Sequence, residues 1–85
     1  MIIKIYNTDY SPKGCLLKRY PVLSKFGYHD EELVSVGFGE GYVGKVVINS
    51  PEDFITLSKE LNREIIVSAE HGLEPSIEIY DNWRE

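Results

Sequence analysis

The stretch Ser50-Pro51-Glu52-Asp53 constrains the fold more than any other part of the sequence, because it marks the start of a helix. A serine side chain can accept hydrogen bonds from the free N–H groups of a first helical turn, and proline at the first helical position has no N–H that needs a partner. The two carboxylates lie at the positive end of the helix dipole. Apolar spacing then predicts one amphipathic helix that ends near Asn62 and carries the stripe Phe54, Leu57, Ser58 and Leu61.

β-prone residues flank this helix on both sides. Residues 2–6 form a short β-rich run, and residues 33–49 have the pattern of a hairpin, with Gly39-Glu40-Gly41 as its turn. After the helix, residues 64–69 and 76–80 form a second pair of strands. The first of these contains Ile65-Ile66-Val67, which is apolar on both faces as in a central strand.

The order of these elements predicts an α+β fold for one domain of residues 1–85. Because hairpins favour antiparallel pairing, we expect an antiparallel sheet of about five strands with one main amphipathic helix on one face (β-x-β-β-α-β-β). Residues 10–28 are the unassigned part: helix, strand and loop all fit, although Pro21 divides the segment and Gly27 is expected to end it.

Gly39, Gly41 and Gly44 spell G-x-G-x-x-G, a pattern found in phosphate-binding loops. In a dinucleotide-binding fold these glycines lead into a helix, but here a strand follows them. The kinase motifs H-R-D and D-F-G are absent, and Val46 follows Lys45 where a Walker motif needs Ser or Thr. The glycines therefore predict a hairpin turn and no phosphate site.

Charge is unevenly distributed along the chain. The net charge is −5, yet residues 1–28 hold five cationic side chains against Asp9 alone. The first interpretation is that this basic segment lies across the protein's own acidic body. The second is a nucleic-acid-binding segment, since cations and aromatic rings alternate over residues 10–28 as in single-strand binders; a pI near 5.0 opposes it. The third is that the acidic residues imitate a phosphate backbone.

Few residues could support catalysis or metal binding. His29 and His71 are far apart with no spaced third ligand, and Cys15 has no identifiable partner for nucleophilic chemistry. We therefore predict no catalytic, cofactor or metal site, and no enzymatic activity. No run approaches the roughly 18 apolar residues of a membrane span, and the N-terminus lacks the pattern of a signal peptide, so a cytoplasmic protein is expected.

Two segments carry residue types that are common in protein interfaces. One is the predicted hairpin tip, and the other is the C-terminal stretch with its Tyr, Trp and Arg. The predicted partner-binding residues are Phe38, Glu40, Tyr42, Glu78, Tyr80, Asp81, Trp83 and Arg84. For Trp83 an alternative remains open, in which its ring folds back over a small core. An exposed hairpin edge also makes a homodimer an option.

Residues 46–85 resemble a group of short phage and prophage proteins of Gram-positive bacteria. The shared features are the Ile48-Asn49-Ser50 entry, the Glu52-Asp53 helix start, the β-rich run at residues 65–67, and an ending of the form I-E-I-Y-D-x-x-R-E at residues 77–85. The chain departs from this pattern at Trp83, where tyrosine is expected. The resemblance implies a phage-type origin, a βαββ unit and no catalytic residues.

Small acidic phage proteins of this type often inhibit host machinery, and anti-CRISPR proteins are among them. The resemblance therefore implies a non-enzymatic binding protein that acts in the host bacterial cytoplasm and inhibits a host protein, such as a defence nuclease in a nucleic-acid-binding effector complex. The alternative function is a small nucleic-acid-binding or regulatory module that uses the basic segment 10–28.

Overall fold

The computed structural model of the protein describes residues 1–7, 13–36, 39–69 and 72–79. Within these ranges the fold is α+β, as predicted, with five strands and a small number of helices. The elements are β1 (Ile2–Asn7), α1 (Cys15–Arg19), a 3₁₀ helix (Pro21–Phe26), β2 (His29–Val36), β3 (Gly39–Val47), α2 (Pro51–Leu61), β4 (Ile66–Val67) and β5 (Pro75–Ile79).

The five strands form one mixed sheet in the order β2-β3-β1-β5-β4. The pairs β1–β3, β2–β3 and β4–β5 are antiparallel, whereas β1 and β5 are parallel, with Ile5 opposite Ile77. The prediction of a wholly antiparallel sheet is therefore wrong for one pair. Hairpin patterns fix only strands that are neighbours in sequence, and the β1–β5 pair forms because the second strand of the β4–β5 hairpin is the one that docks beside β1.

The strand that contains Ile66 and Val67 has a different place in the sheet from the one expected. Ile65-Ile66-Val67 was predicted to lie in a central strand, but β4 is a two-residue strand at the sheet edge. Val67 is 63% exposed there. The interior strand is β5, in which Ile77 and Ile79 are fully buried. An apolar run on its own does not distinguish an edge strand from a central one.

The hairpin of β2 and β3 is present, but its turn is not where the glycines predicted it. Gly39, Glu40 and Gly41 belong to β3 and pair with residues of β2. Val36 is paired with Gly39, so the connection consists of residues 37–38, which lie outside the described ranges. The predicted turn at residues 39–41 is therefore wrong by two to three positions, because strand pairing extended through glycines that the sequence pattern assigned to a loop.

Helix α2 follows the sequence prediction closely. The Ser50 hydroxyl accepts a hydrogen bond from the Asp53 N–H at 3.2 Å, and Pro51 occupies the first turn. Asn62 ends the helix in a left-handed conformation, with φ 52° and ψ 45°. Leu57 and Leu61 are buried in the core. Capping and apolar spacing were sufficient to define this element because both are local.

The unassigned segment forms two short helices. Leu16 of α1 and Leu23 and Phe26 of the 3₁₀ helix are buried. The division at Pro21 is confirmed, as is the stop at Gly27, whose φ of 66° favours glycine. The expectation of one main helix is thus incomplete, because these short helices also cover the sheet.

All three helices pack on the same side of the sheet, which we call the helix face. Every second strand residue, such as Ile3 and Ile5 of β1, points to this side. These residues and the helices form one core cluster: Ile3, Ile5, Leu16, Leu23, Phe26, Val46, Ile48, Leu57, Leu61, Ile77 and Ile79. The side on which Lys4 and Tyr6 lie is called the open face, and no described helix contributes to it. None of the described helices is long and apolar enough to cross a membrane.

Candidate protein-binding site on the β2–β3 hairpin

Three of the eight predicted partner-binding residues lie in described strands. Glu40 and Tyr42 belong to β3, and Glu78 belongs to β5. The other five lie outside the described residues: Phe38, Tyr80, Asp81, Trp83 and Arg84.

The three described residues do not share one face of the sheet. Tyr42 is paired with Asn7 of β1. Ile3, Ile5 and Asn7 are alternate residues of that strand and point to the same side, so Tyr42 lies on the helix face. Glu40 is two residues away on the same strand and shares this side. Glu78 lies beside Tyr6 in the parallel register, which places it on the open face. The structure therefore brings Glu40 and Tyr42 together and separates Glu78 from them.

Two residues that the sequence analysis did not select complete the surface around Tyr42. Leu33 lies directly opposite Tyr42, and Ser35 lies directly opposite Glu40. Leu33 is 53% exposed, although it lies on the helix face, and Ser35 is also exposed. We call Leu33, Ser35, Glu40 and Tyr42 the hairpin surface. If the turn had been placed at residues 37–38, counting residues outward along both strands would have placed Leu33 opposite Tyr42.

Carboxylates dominate the charge of the hairpin. Residues 29–42 contain four acidic side chains and no lysine or arginine. Asp30, Glu32 and Glu40 are exposed. Of these three, Glu40 shares the face of the Leu33–Tyr42 pair, whereas Glu32 has the opposite strand parity. An apolar pair beside a carboxylate suits contact with a cationic protein surface.

The fourth carboxylate, Glu31, connects the hairpin to the helical layer. The Tyr28 hydroxyl donates to Glu31 Oε2 at 2.7 Å, and the Gly14 N–H donates to Glu31 Oε1 at 2.7 Å. Burial raises the pKa of the Tyr28 phenol far above its ordinary range, and the hydrogen bond to Glu31 acts in the same direction. These two bonds join the start of β2 to the turn that precedes α1.

A β-bulge allows Glu31 to reach this position. His29 pairs with Lys45 and Glu32 pairs with Val43, so two residues of β2 face the single residue Gly44. Within the bulge Asp30 has a φ of 55°, a conformation that non-glycine residues seldom adopt. The bulge keeps both His29 and Glu32 on the open face and leaves Glu31 free to turn toward the helices.

The open face carries an ion pair between Lys4 and Glu74. Lys4 Nζ lies 2.5 Å from Glu74 Oε2. The hydrogen bond from Lys4, together with the charge of Lys45, lowers the pKa of the Glu74 carboxyl. The same bond raises the pKa of Lys4, whereas burial lowers it and offsets part of this change. This mixture of charges gives the centre of the open face no strong electrostatic sign.

Two of the three residues considered for catalysis, Cys15 and His29, lie in the described ranges. His29 Nδ1 lies 2.7 Å from the Gly27 carbonyl oxygen, and its Nε2 lies 3.6 Å from Asp30 Oδ2. Cys15 is a half-buried free thiol, and His71 lies outside the described residues. Among the residues that the structure describes, no three His, Cys, Asp or Glu side chains gather as a metal site requires.

Comparisons with known proteins give no relative of this chain. No protein-family model matches it, and no curated protein or solved structure is significantly similar to it.

Proposed function

We propose that the chain is a non-enzymatic binding protein that inhibits a larger host protein, in particular a nucleic-acid-binding nuclease of bacterial defence. The observation that carries this proposal is the hairpin surface, where an exposed leucine and a tyrosine lie side by side with Glu40 on the same face. The resemblance of residues 46–85 to phage and prophage proteins supplies the choice of a host target.

The Leu33–Tyr42 pair provides the apolar part of the contact. Cross-strand neighbours have Cβ atoms about 5 Å apart, so the two side chains form one continuous surface. Tyrosine is among the residues that contribute most to interface energies, since its ring buries a large area with few rotatable bonds. Leu33 is more than half exposed, and its burial against a partner would be favourable.

The carboxylates of the hairpin provide selectivity. Nucleic-acid-binding proteins present cationic grooves, and an acidic surface is steered toward such grooves by long-range attraction. Glu40 is exposed on the same face as this pair and can meet lysine or arginine of a partner. Asp30 lies 3.6 Å from His29 Nε2, and Glu32 lies on the open face. Occupation of the groove would exclude the nucleic acid and so inhibit the nuclease.

A binding experiment with matched variants tests the role of the hairpin surface. The chain is immobilised and used to capture proteins from a bacterial lysate, alongside Leu33→Asp and Ile55→Asp. Ile55 is 55% exposed on α2, which makes it a control of almost equal exposure far from the hairpin in sequence. We expect Leu33→Asp to weaken binding at least tenfold, as at an interface hot spot, and Ile55→Asp to leave it unchanged.

An activity experiment tests the choice of target. Purified RNA-guided nuclease complexes are titrated with the chain, and cleavage of a target DNA is followed. A stoichiometric inhibitor stops cleavage at about one chain per complex, whereas an enzyme that modified the complex would act at far lower ratios. A folded sample that captures no protein and inhibits no nuclease would contradict the proposal.

A further inference from the structure

The solvent side of α1 and the 3₁₀ helix forms a second charged surface, opposite in sign to the hairpin. Residues 13–28 contain four cationic side chains and no carboxylate. All four are exposed: Lys13, Lys18, Arg19 and Lys25. We call these residues the basic surface.

Helix geometry explains why the basic surface faces water. Leu16 anchors α1 in the core, and Lys18 is two residues further along, which is about 200° around an α-helix. Leu23 and Phe26 anchor the 3₁₀ helix at a spacing of one turn, and Lys25 lies between them on the outer side. Both helices thus bury these three anchoring residues in the core and turn lysine outward.

Three lysines of this surface have no carboxylate partner among the described residues. Within the described ranges no ion pair joins Lys13, Lys18 or Lys25 to a carboxylate, in contrast to Lys4 with Glu74. The expectation that the basic segment lies across the acidic body of the protein stays a prediction, and the described residues show no such ion pair for these three lysines.

The segment is also fixed in position before any ligand arrives. The Gly14 N–H is held by Glu31, which in turn binds the Tyr28 hydroxyl, so both ends of residues 14–28 are tied to the same carboxylate. A surface that is already ordered loses less conformational entropy on binding than a flexible basic tail.

From these observations we infer that the basic surface binds the phosphate backbone of nucleic acid, without sequence preference. Lysine is depleted in the cores of protein–protein interfaces but is a regular phosphate contact. The net charge of −5 does not prevent this, because charges are screened over about 8 Å at physiological ionic strength, and the molecule extends 33 × 30 × 21 Å. This site is separate from the hairpin surface and does not depend on the proposed inhibition.

Binding to labelled DNA tests the inference. A fluorescent 20-nucleotide single strand and a duplex of the same length are titrated with the full chain, and anisotropy is measured at 20 and 200 mM NaCl. If three lysines contact phosphates, affinity should fall roughly one-hundred- to five-hundredfold over this tenfold change in salt. Lack of binding at 20 mM NaCl overturns the inference.

Charge variants locate the site. Lys18→Glu with Lys25→Glu should abolish measurable binding, and the neutral pair Lys18→Gln with Lys25→Gln should weaken it by a smaller factor. Lys59→Glu is the control, since Lys59 is an exposed lysine on α2. The matched comparison is between the single variants Lys59→Glu and Lys18→Glu. An equal loss of DNA affinity in these two would show a general charge effect and overturn the assignment.

A competition experiment distinguishes nucleic acid from an acidic protein partner. Unlabelled poly-dT and poly-L-glutamate are added at equal charge concentration to the complex with labelled DNA. Preferential displacement by poly-dT supports a phosphate-binding surface. Preferential displacement by poly-L-glutamate would assign the surface to carboxylates of a protein and overturn the inference.

Discussion

The ring of Tyr28 occupies the space over Gly44 that a side chain would otherwise fill. A Cβ atom built on Gly44 would overlap the ring carbons Cε2 and Cζ and the hydroxyl oxygen of Tyr28. The third glycine of the G-x-G-x-x-G pattern is therefore required for packing of an aromatic ring on a strand, a role unrelated to phosphate. The hydroxyl of the same ring donates to Glu31, which also accepts from the Gly14 N–H in the turn before α1.

Gly44→Ala should destabilise the protein by about 1–3 kcal/mol, because an added methyl group forces the Tyr28 ring out of its position. Urea unfolding followed by circular dichroism measures this change. Tyr28→Ala should also destabilise, but the double variant should lose less than the sum of the two, since the ring that clashes has been removed. Additive losses would show that Gly44 is needed for another reason.

Tyr28→Phe should cost about 1.5 kcal/mol at pH 7, the usual contribution of a hydrogen bond to a charged group. Folding raises the pKa of Tyr28, so the unfolded chain releases this proton first as the pH rises above about 10. Wild-type stability should therefore fall above that pH, and part of the fall should be absent in Tyr28→Phe. Identical pH profiles for the two proteins would contradict the raised pKa of Tyr28, which arises first from burial and then from the bond to Glu31.

Ser50→Ala should destabilise by about 1 kcal/mol, because the Asp53 N–H loses its acceptor at the start of α2. Ser50→Asp should retain most of the stability, since aspartate is an equally good cap. Thr56→Ala is the control: Thr56 is exposed within α2, and alanine has the higher helix propensity. Thermal unfolding compares the three. A loss in Ser50→Asp as large as in Ser50→Ala would argue against the cap.

Glu74→Gln should lower stability slightly at pH 7, and the effect should disappear in high salt because the pair with Lys4 is exposed. The pKa of Glu74 is lowered by folding, so its contribution is present above the ordinary value of 4.5 and is lost as the pH falls below it. Urea midpoints at pH 7 and pH 3 measure this. An undiminished difference at pH 3 would mean that packing, and not charge, is responsible.

The sequence was informative where the structural signal is local. Ser50 and Asn62 bound α2 as expected, because a cap involves residues within one turn of each other. Gly27 ended the 3₁₀ helix for the same reason. Residues 15–19 could not be assigned, since a five-residue helix is too short to show a clear period and forms through the burial of Leu16 against the sheet.

Sheet pairing and the candidate site depended on information that the local pattern lacks. β4 and β5 have similar apolar content, and only the docking of β5 beside β1 makes Ile77 an interior residue. Leu33 was not selected because its exposure depends on where the helices end over the sheet. The misplacement of the turn at residues 39–41 also concealed that Leu33 and Tyr42 are neighbours.

The parallel pairing of β1 with β5 has a consequence for how the protein is made. Lys4 and its partner Ser76 are separated by 72 positions in the sequence. During translation β1 leaves the ribosome long before β5, the strand that completes its hydrogen bonding. One edge of β1 therefore stays unpaired while the β2–β3 hairpin and α2 are synthesised. Contacts this distant in sequence slow folding. The protein should therefore complete its core only when β5 docks beside β1.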